Sequence, residues 1–133
     1  MSSFQAVFYR DASGREPVRD FLESLNDDAQ AAIEHQIGRL NLLSDATPHL
    51  PFPHSSQVKG ELRELRCHYG RDLYRILYRR SDQLLVLLHI FAKRSAKINH
   101  RDILTAQERW NDFKARMDAQ PRTPPRAAGH DAP

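Results

Sequence analysis

Hydrophobic and polar positions change their period twice along the chain, and the changes divide it into elements. Near the N-terminus Phe4, Ala6 and Phe8 alternate with their neighbours, so residues 4–9 read as a strand with one apolar face. Asp11 to Gly14 is a turn of Asp, Ala, Ser and Gly. The period then becomes helical. Pro17 suits the first position of a helix, where its missing N–H is no loss, and Val18, Phe21, Leu22 and Leu25 follow on one face over residues 17–25. Asn26 is a good N-cap for a second helix, with its stripe at Ala29, Ile33, Ile37 and Leu40 and its end near Ser44. The two helices should form a hairpin. Residues 47–56 hold three prolines and two histidines and read as a loop.

Beyond that loop the period returns to two. Residues 62–67, 73–79 and 84–91, rich in Leu, Ile, Val, Tyr and Phe, read as three strands. The turns between them, at Tyr69-Gly70 and at Ser81-Asp82-Gln83, are short, so the strands should be antiparallel. Asn99 caps a third helix, with Asp102 near its positive end and a buried stripe of Ile103, Ala106, Trp110 and Phe113. From Gln120 onward there are four prolines and almost nothing apolar, so residues 120–133 are expected to be a disordered tail on a domain of residues 1–119. The order β-α-α-β-β-β-α implies an α+β fold: an antiparallel sheet packed by the N-terminal helical hairpin and the C-terminal helix on one face, the other face partly free.

A chain of 133 residues suits one domain and can bury a core without metals or disulfides. Cys67 is the only cysteine, so there is no disulfide framework, and no Cys/His spacing resembles a zinc site. No metal and no cofactor are therefore expected. The first residues lack the apolar core of a signal peptide, and the longest apolar run, residues 84–88, is far too short for a membrane span. A cytoplasmic protein with no membrane partner is the expectation. Net charge is +3, but residues 57–101 carry eleven Lys and Arg against four Asp and Glu, while the rest of the chain is net −4. A basic middle of this kind attracts a polyanion, or is simply a solvated face.

The strand pairing decides what that middle presents. With Tyr69-Gly70 as a two-residue hairpin loop, Arg66 faces Leu73, Glu64 faces Arg75 and Leu62 faces Leu77. All share one side of the sheet, because side chains alternate. Arg66, Arg75 and Glu64 thus meet on one surface, where Glu64 and Arg75 form either an ordinary cross-strand ion pair or part of a site. Lys93, Arg94 and Lys97 follow directly on the third strand, at the sheet edge, and suit phosphate contacts. Tyr74, Tyr78 or Phe91 would stack on unpaired bases if exposed, or else belong to the core. His89 lies within an apolar strand, as expected of a satisfied, half-buried histidine.

Four segments carry a family resemblance. Lys59 to Arg66, reading K-G-E-L-R-E-L-R, resembles the K-x-L-x-x-G-L-x-E-L-R core of phage-derived HigB-like toxins. Gly70 to Tyr78 resembles their G-R-x-Y-R-v-x-Y strand, and Leu87 to Arg94 their L-L-H-x-F-x-K-K segment. Ala106 and Arg109 match the closing A-x-x-R. In this order the motifs resemble the RelE/ParE superfamily. The resemblance implies a RelE-like fold and the toxin of a type II toxin–antitoxin system, a metal-independent endoribonuclease acting on mRNA at the ribosome. It implies as partner a helix-turn-helix antitoxin, which would carry any contact with operator DNA. Carried over by position, Arg66, Arg75 and Lys93, with Glu64, are the catalytic candidates. Arg94, Lys97, Lys59, Tyr78 and His89 are the RNA-binding candidates. The sequence departs from the pattern at Arg94, which replaces the second lysine, at Ile90, and in having no tyrosine after Tyr78. The general base is therefore open among Lys93, Glu64 and His89, and a non-catalytic, ParE-type inhibitor of DNA gyrase is the alternative reading.

Overall fold

The computed structural model describes residues 3–92 and 97–129. A short strand β1 (Gln5–Phe8) leads into two helices, α1 (Pro17–Glu23) and α2 (Asp27–Leu40). Four strands follow, β2 (Ser55–Lys59), β3 (Leu62–Tyr69), β4 (Asp72–Ser81) and β5 (Leu84–Ala92), and then the long helix α3 (His100–Asp118). Local chemistry accounts for the helix starts. Pro17 opens α1, the Asn26 side chain accepts from the Ala29 N–H, and the Asn99 side chain accepts from the Arg101 N–H.

The five strands form one mixed sheet in the order β1-β5-β4-β3-β2. The fold is α+β, as expected, but two features differ from the sequence reading. Ser55–Lys59, of which the first two residues fall in the expected loop and the rest in no expected element, is a fifth strand paired antiparallel to β3. It carries one large apolar residue, Val58, and a register shift between Gln57 and Lys59. Polar side chains and a bulge are how an edge strand avoids pairing with other chains, and they erase the period-two signal. Strand β1 pairs parallel to β5, so the sheet is not wholly antiparallel.

The hairpin between β3 and β4 also turns one residue later than expected. Gly70 and Arg71 form the loop, with Gly70 at φ 60°, a left-handed conformation natural to glycine. Every pair therefore moves by two positions: Arg66 faces Arg75 directly, and Glu64 faces Leu77. A shift of two keeps each side chain on its predicted face, since the pleat has period two.

Both faces of the sheet are covered, which corrects the one-faced packing. Helices α1 and α2 cover one face, with Val18, Leu22, Ile33, Ile37 and Leu40 meeting Leu65, Ile76, Tyr78, Leu87 and Ile90. Helix α3 covers the other, with Ala106, Trp110 and Phe113 meeting Leu62, Leu77, Val86 and Leu88. Between Leu77 and Tyr78 the β4–β5 register slips by one residue, and β5 accommodates Leu88 as a bulge. The strand's alternation breaks there, and His89, opposite Leu77, also lies on the α3 side.

The C-terminal segment departs from the expected disorder over residues 127–129. Ala127 and Ala128 are buried, Tyr9 and Ala128 form an antiparallel bridge, the Arg10 N–H donates to Ala127 O and the Gly129 N–H to Phe8 O. Small side chains let this segment lie flat against the otherwise open edge of β1. Arg116 clamps it by donating to Pro125 O and to Arg10 O, while also pairing with Asp112, which accepts from the Tyr9 hydroxyl. Burial and the Asp112 carboxylate push the Tyr9 phenol up to about 12. A chain ending at Ala119 would lose three of these hydrogen bonds, each contributing about 1 kcal/mol. We expect it to be less stable by about 2–3 kcal/mol in urea unfolding; an unchanged midpoint would show that the segment does not hold the edge.

Candidate functional site

The α3 face is not covered uniformly. Helix α3 packs mainly on β5 and β4, and an open groove of about 310 Å³ remains at the corner where β2 and β3 meet the start of α3. Glu64, Arg66 and Arg75 line it from the sheet, Ser56 and Val58 from β2, and Lys97, Ile98 and Ile103 from the approach to α3. Three of the sequence-derived candidates, Glu64, Arg66 and Arg75, are thus brought together, with Lys97 exposed on the rim.

The centre of the group is a buried carboxylate. Arg66 and Arg75 are directly opposed on neighbouring strands, an arrangement of like charges that destabilises a sheet by itself. Glu64 resolves it. Its Oε1 accepts from Arg66 Nε at 2.6 Å and from the Ser56 hydroxyl at 3.1 Å, and its Oε2 accepts from an Arg75 guanidinium nitrogen at 3.4 Å. The three members differ sharply in access: the side chains of Glu64 and Arg75 are 2 % exposed, that of Arg66 23 %. Arg75 lines the groove but is almost fully buried as a counter-ion of Glu64, and Glu64 also holds Arg66, the more exposed of the three. Alanine at Arg75 would remove a buried counter-ion and so is not neutral to the fold.

The other candidates divide. Tyr78 is 2 % exposed, lies on the α1/α2 face and shares a hydrogen bond with Ser55, so it belongs to the core and not to the groove. It pairs with Arg63 on β3 and Leu87 on β5, on the side of the sheet away from Glu64. Tyr74 is buried on the same face, and Phe91 is buried against His89, so none of the aromatics considered from the strands is exposed for stacking. Lys59 is exposed, but at the far end of β2, beside Leu62, Arg79 and Trp110. Lys93 and Arg94 lie outside the described residues.

His89 is on the groove's face of the sheet and both its ring nitrogens are engaged. Nε2 is 2.8 Å from Asp102 Oδ1, and Nδ1 is 3.3 Å from an Arg109 guanidinium nitrogen, which also donates to Leu88 O. A guanidinium only donates, so Nδ1 must accept, and the imidazole is the neutral tautomer that donates from Nε2 to Asp102. Burial lowers the His89 pKa, the Asp102 hydrogen bond raises it, and the Arg109 charge lowers it, with a net downward result. Cys67 is buried, and burial pushes its thiol up to about 12, which removes it as a nucleophile at neutral pH.

One aromatic residue at the groove escaped the sequence reading. Phe52, in the loop before β2, is 73 % exposed, and the Arg66 guanidinium sits 5.4 Å from its ring centre. The signal in the sequence was Pro51-Phe52-Pro53, an aromatic ring held between two prolines.

Residues 20–111, from within α1 to within α3, match the family of phage-derived Gp49-like proteins (DUF891). The chain belongs to this family. The Gp49-like segment contains the whole groove, from Ser56 to Ile103, together with His89 and Arg109; β1, Arg116 and the C-terminal strap lie outside it. No curated protein matches the chain. No helix among the described residues is long and apolar enough to cross a membrane.

Two predictions follow from the ion cluster and the histidine. Arg75→Ala leaves a buried carboxylate short of a counter-ion and should cost about 3–5 kcal/mol in urea unfolding, whereas Arg66→Ala, at a part-exposed position, should cost about 1 kcal/mol; equal losses would refute the assignment of Arg75 as the buried support. For His89, the lowered folded pKa means that the unfolded chain binds the extra proton first as pH falls. Its contribution to stability is thus complete above the unfolded value near 6.5 and is lost as pH drops through 6.5 toward the folded value. Burial and two arginines lower His49 in the same direction, so the check is the difference in urea midpoint between the native chain and His89→Gln across pH 7.5 to 5. The native chain should lose more on acidification, and parallel curves would contradict it.

Proposed function

We propose that this Gp49-like protein is the toxin of a type II toxin–antitoxin system, of the HigB-like kind, and that it cleaves mRNA on the ribosome without a metal ion. The observation that carries the reading is the groove in which Arg66 is held by a buried carboxylate beside Lys97. A preorganised guanidinium with N–H groups to spare is a bidentate donor suited to phosphoryl oxygens. The Gp49-like family and the RelE-like sheet are compatible with the same role.

Cleavage of this class begins with attack of a ribose 2′-oxygen on the adjacent phosphorus. The 5′-oxygen of the next nucleotide leaves, and a cyclic phosphate remains. The reaction needs a base for the 2′-hydroxyl, cations for the charge that grows on the phosphoryl oxygens, and an acid for the departing oxygen. Arg66 supplies the charge stabilisation, with Glu64 and Arg75 as positioning residues. Glu64 is committed to three donors, and His89 to Asp102 and Arg109, so neither is free in this geometry to take the proton. Lys93 is the remaining candidate for proton transfer, a role that would require nearby cations to lower its ammonium pKa; Arg94, always charged, would only stabilise. A helix-turn-helix antitoxin would cover the groove and carry the complex to operator DNA.

The test is induced expression of the chain in growing bacteria, followed by mapping of mRNA 5′ ends. We expect growth arrest with new cleavage sites in register with the reading frame, and loss of both in Arg66→Ala while the protein accumulates normally. Arrest with intact mRNA and induction of DNA damage would replace this reading with a gyrase inhibitor.

A further inference from the structure

The groove has an apolar neighbour that the cation chemistry does not explain. Phe52 leaves 73 % of its surface in water, which is costly for so large an apolar side chain, and it is not covered by the core clusters. It does not hang loosely. Proline on each side narrows the backbone conformations open to it. Two residues on, His54 O accepts from the Arg66 N–H, so the loop is pinned to β3 at the arginine itself. The Arg66 guanidinium lies over one face of the ring at 5.4 Å, within cation–π range. The ring is therefore held against Arg66, which lines the groove and is the most exposed member of the ion cluster.

We infer that Phe52 is a nucleobase platform: its exposed ring stacks on an unpaired base of the RNA strand while Arg66, layered against the ring, holds the neighbouring phosphate. The inference rests on the RNA-directed reading of the groove and deepens it by naming single-stranded nucleic acid with a splayed base as the ligand at this corner. The chemistry fits on both counts. Every base has a π-face, so stacking on an aromatic ring is tolerant of sequence. The guanidinium keeps its N–H edges for phosphate while its face lies on the ring. Among the described residues Tyr74, Tyr78 and Phe91 are buried and Phe8 and Tyr69 pack on the α1/α2 side, so Phe52 is the exposed ring beside Arg66.

The experiment uses the purified full chain and two probes of equal length. One is a single-stranded 2′-O-methyl RNA, which lacks the attacking hydroxyl and reports binding without cleavage. The other is an abasic phosphate backbone. The native chain should bind the base-bearing probe at least about fivefold more tightly than the abasic one. Phe52→Ala should lose that preference, with affinity for the abasic strand and the salt dependence unchanged, and Phe52→Trp should restore it. Arg66→Ala should weaken both probes and reduce the salt slope by about 0.7. A Phe52→Ala protein that keeps its base preference overturns the platform and leaves the RNA reading standing. A native chain that binds neither probe overturns both, and the exposed ring then belongs to a protein contact.

Discussion

Two arginines placed opposite each other on adjacent strands repel, and a sheet can hold them there only if a negative charge is built in alongside. Glu64 is that charge. It sits two residues before Arg66 on β3 and so on the same face, diagonal to Arg75 on β4, and it is buried with Arg75 to 2 % exposure. Such an ion pair contributes little net stability by replacing water, but removing half of it is severe. Its value lies in geometry. The carboxylate fixes the direction of Arg66, ties β2 in through the Ser56 hydroxyl, and places a positive fork at a corner of the sheet that α3 leaves open.

That arrangement sorts the cluster by depth. The buried pair, Glu64 with Arg75, supports the cluster, and Arg66 with Phe52 against it and Lys97 on the rim are its more exposed part. Sequence motifs cannot separate the two parts, because E-L-R and Y-R name residue types without saying which is the more buried. His89 is a parallel case. Its place in an apolar strand suggests a satisfied, half-buried histidine while motif chemistry leaves a base role open, and Asp102 and Arg109 hold it in a neutral, fully engaged state that ties β5 to α3.

The sequence was most informative where side-chain alternation alone mattered. Glu64, Arg66 and Arg75 fall on one face whether the hairpin turns at Tyr69-Gly70 or at Gly70-Arg71, because the two alternatives differ by an even shift. It was least informative where tertiary packing chose between equal options. Both faces of the strands are mixed, so nothing local told α3 to cross to the side opposite α1 and α2. The bulge at Leu88 puts two consecutive residues on one face and has no sequence mark, and it decides which side Tyr78 and His89 occupy relative to one another. Ser55–Lys59 was hidden by the polarity that an edge strand requires, and Ala127-Ala128, too small to register as apolar, find burial only because β1 has an edge to fill.

The parallel pairing of β1 with β5 has a consequence for how the chain comes into being. Gln5 finds its partner in Leu84, and Tyr9 finds Ala128. During synthesis the first strand must therefore wait for nearly the whole polypeptide, several seconds at roughly 5–20 residues per second, with Phe4, Val7 and Phe8 unsheltered meanwhile. The β3–β4–β5 meander, whose contacts are close in sequence, can assemble first, and it already contains Glu64, Arg66 and Arg75. The charged corner would then exist before the N-terminal strand docks, and the nascent chain would show its arginine to the surrounding ribosomal RNA, and to anything present to cover it, before the fold is closed.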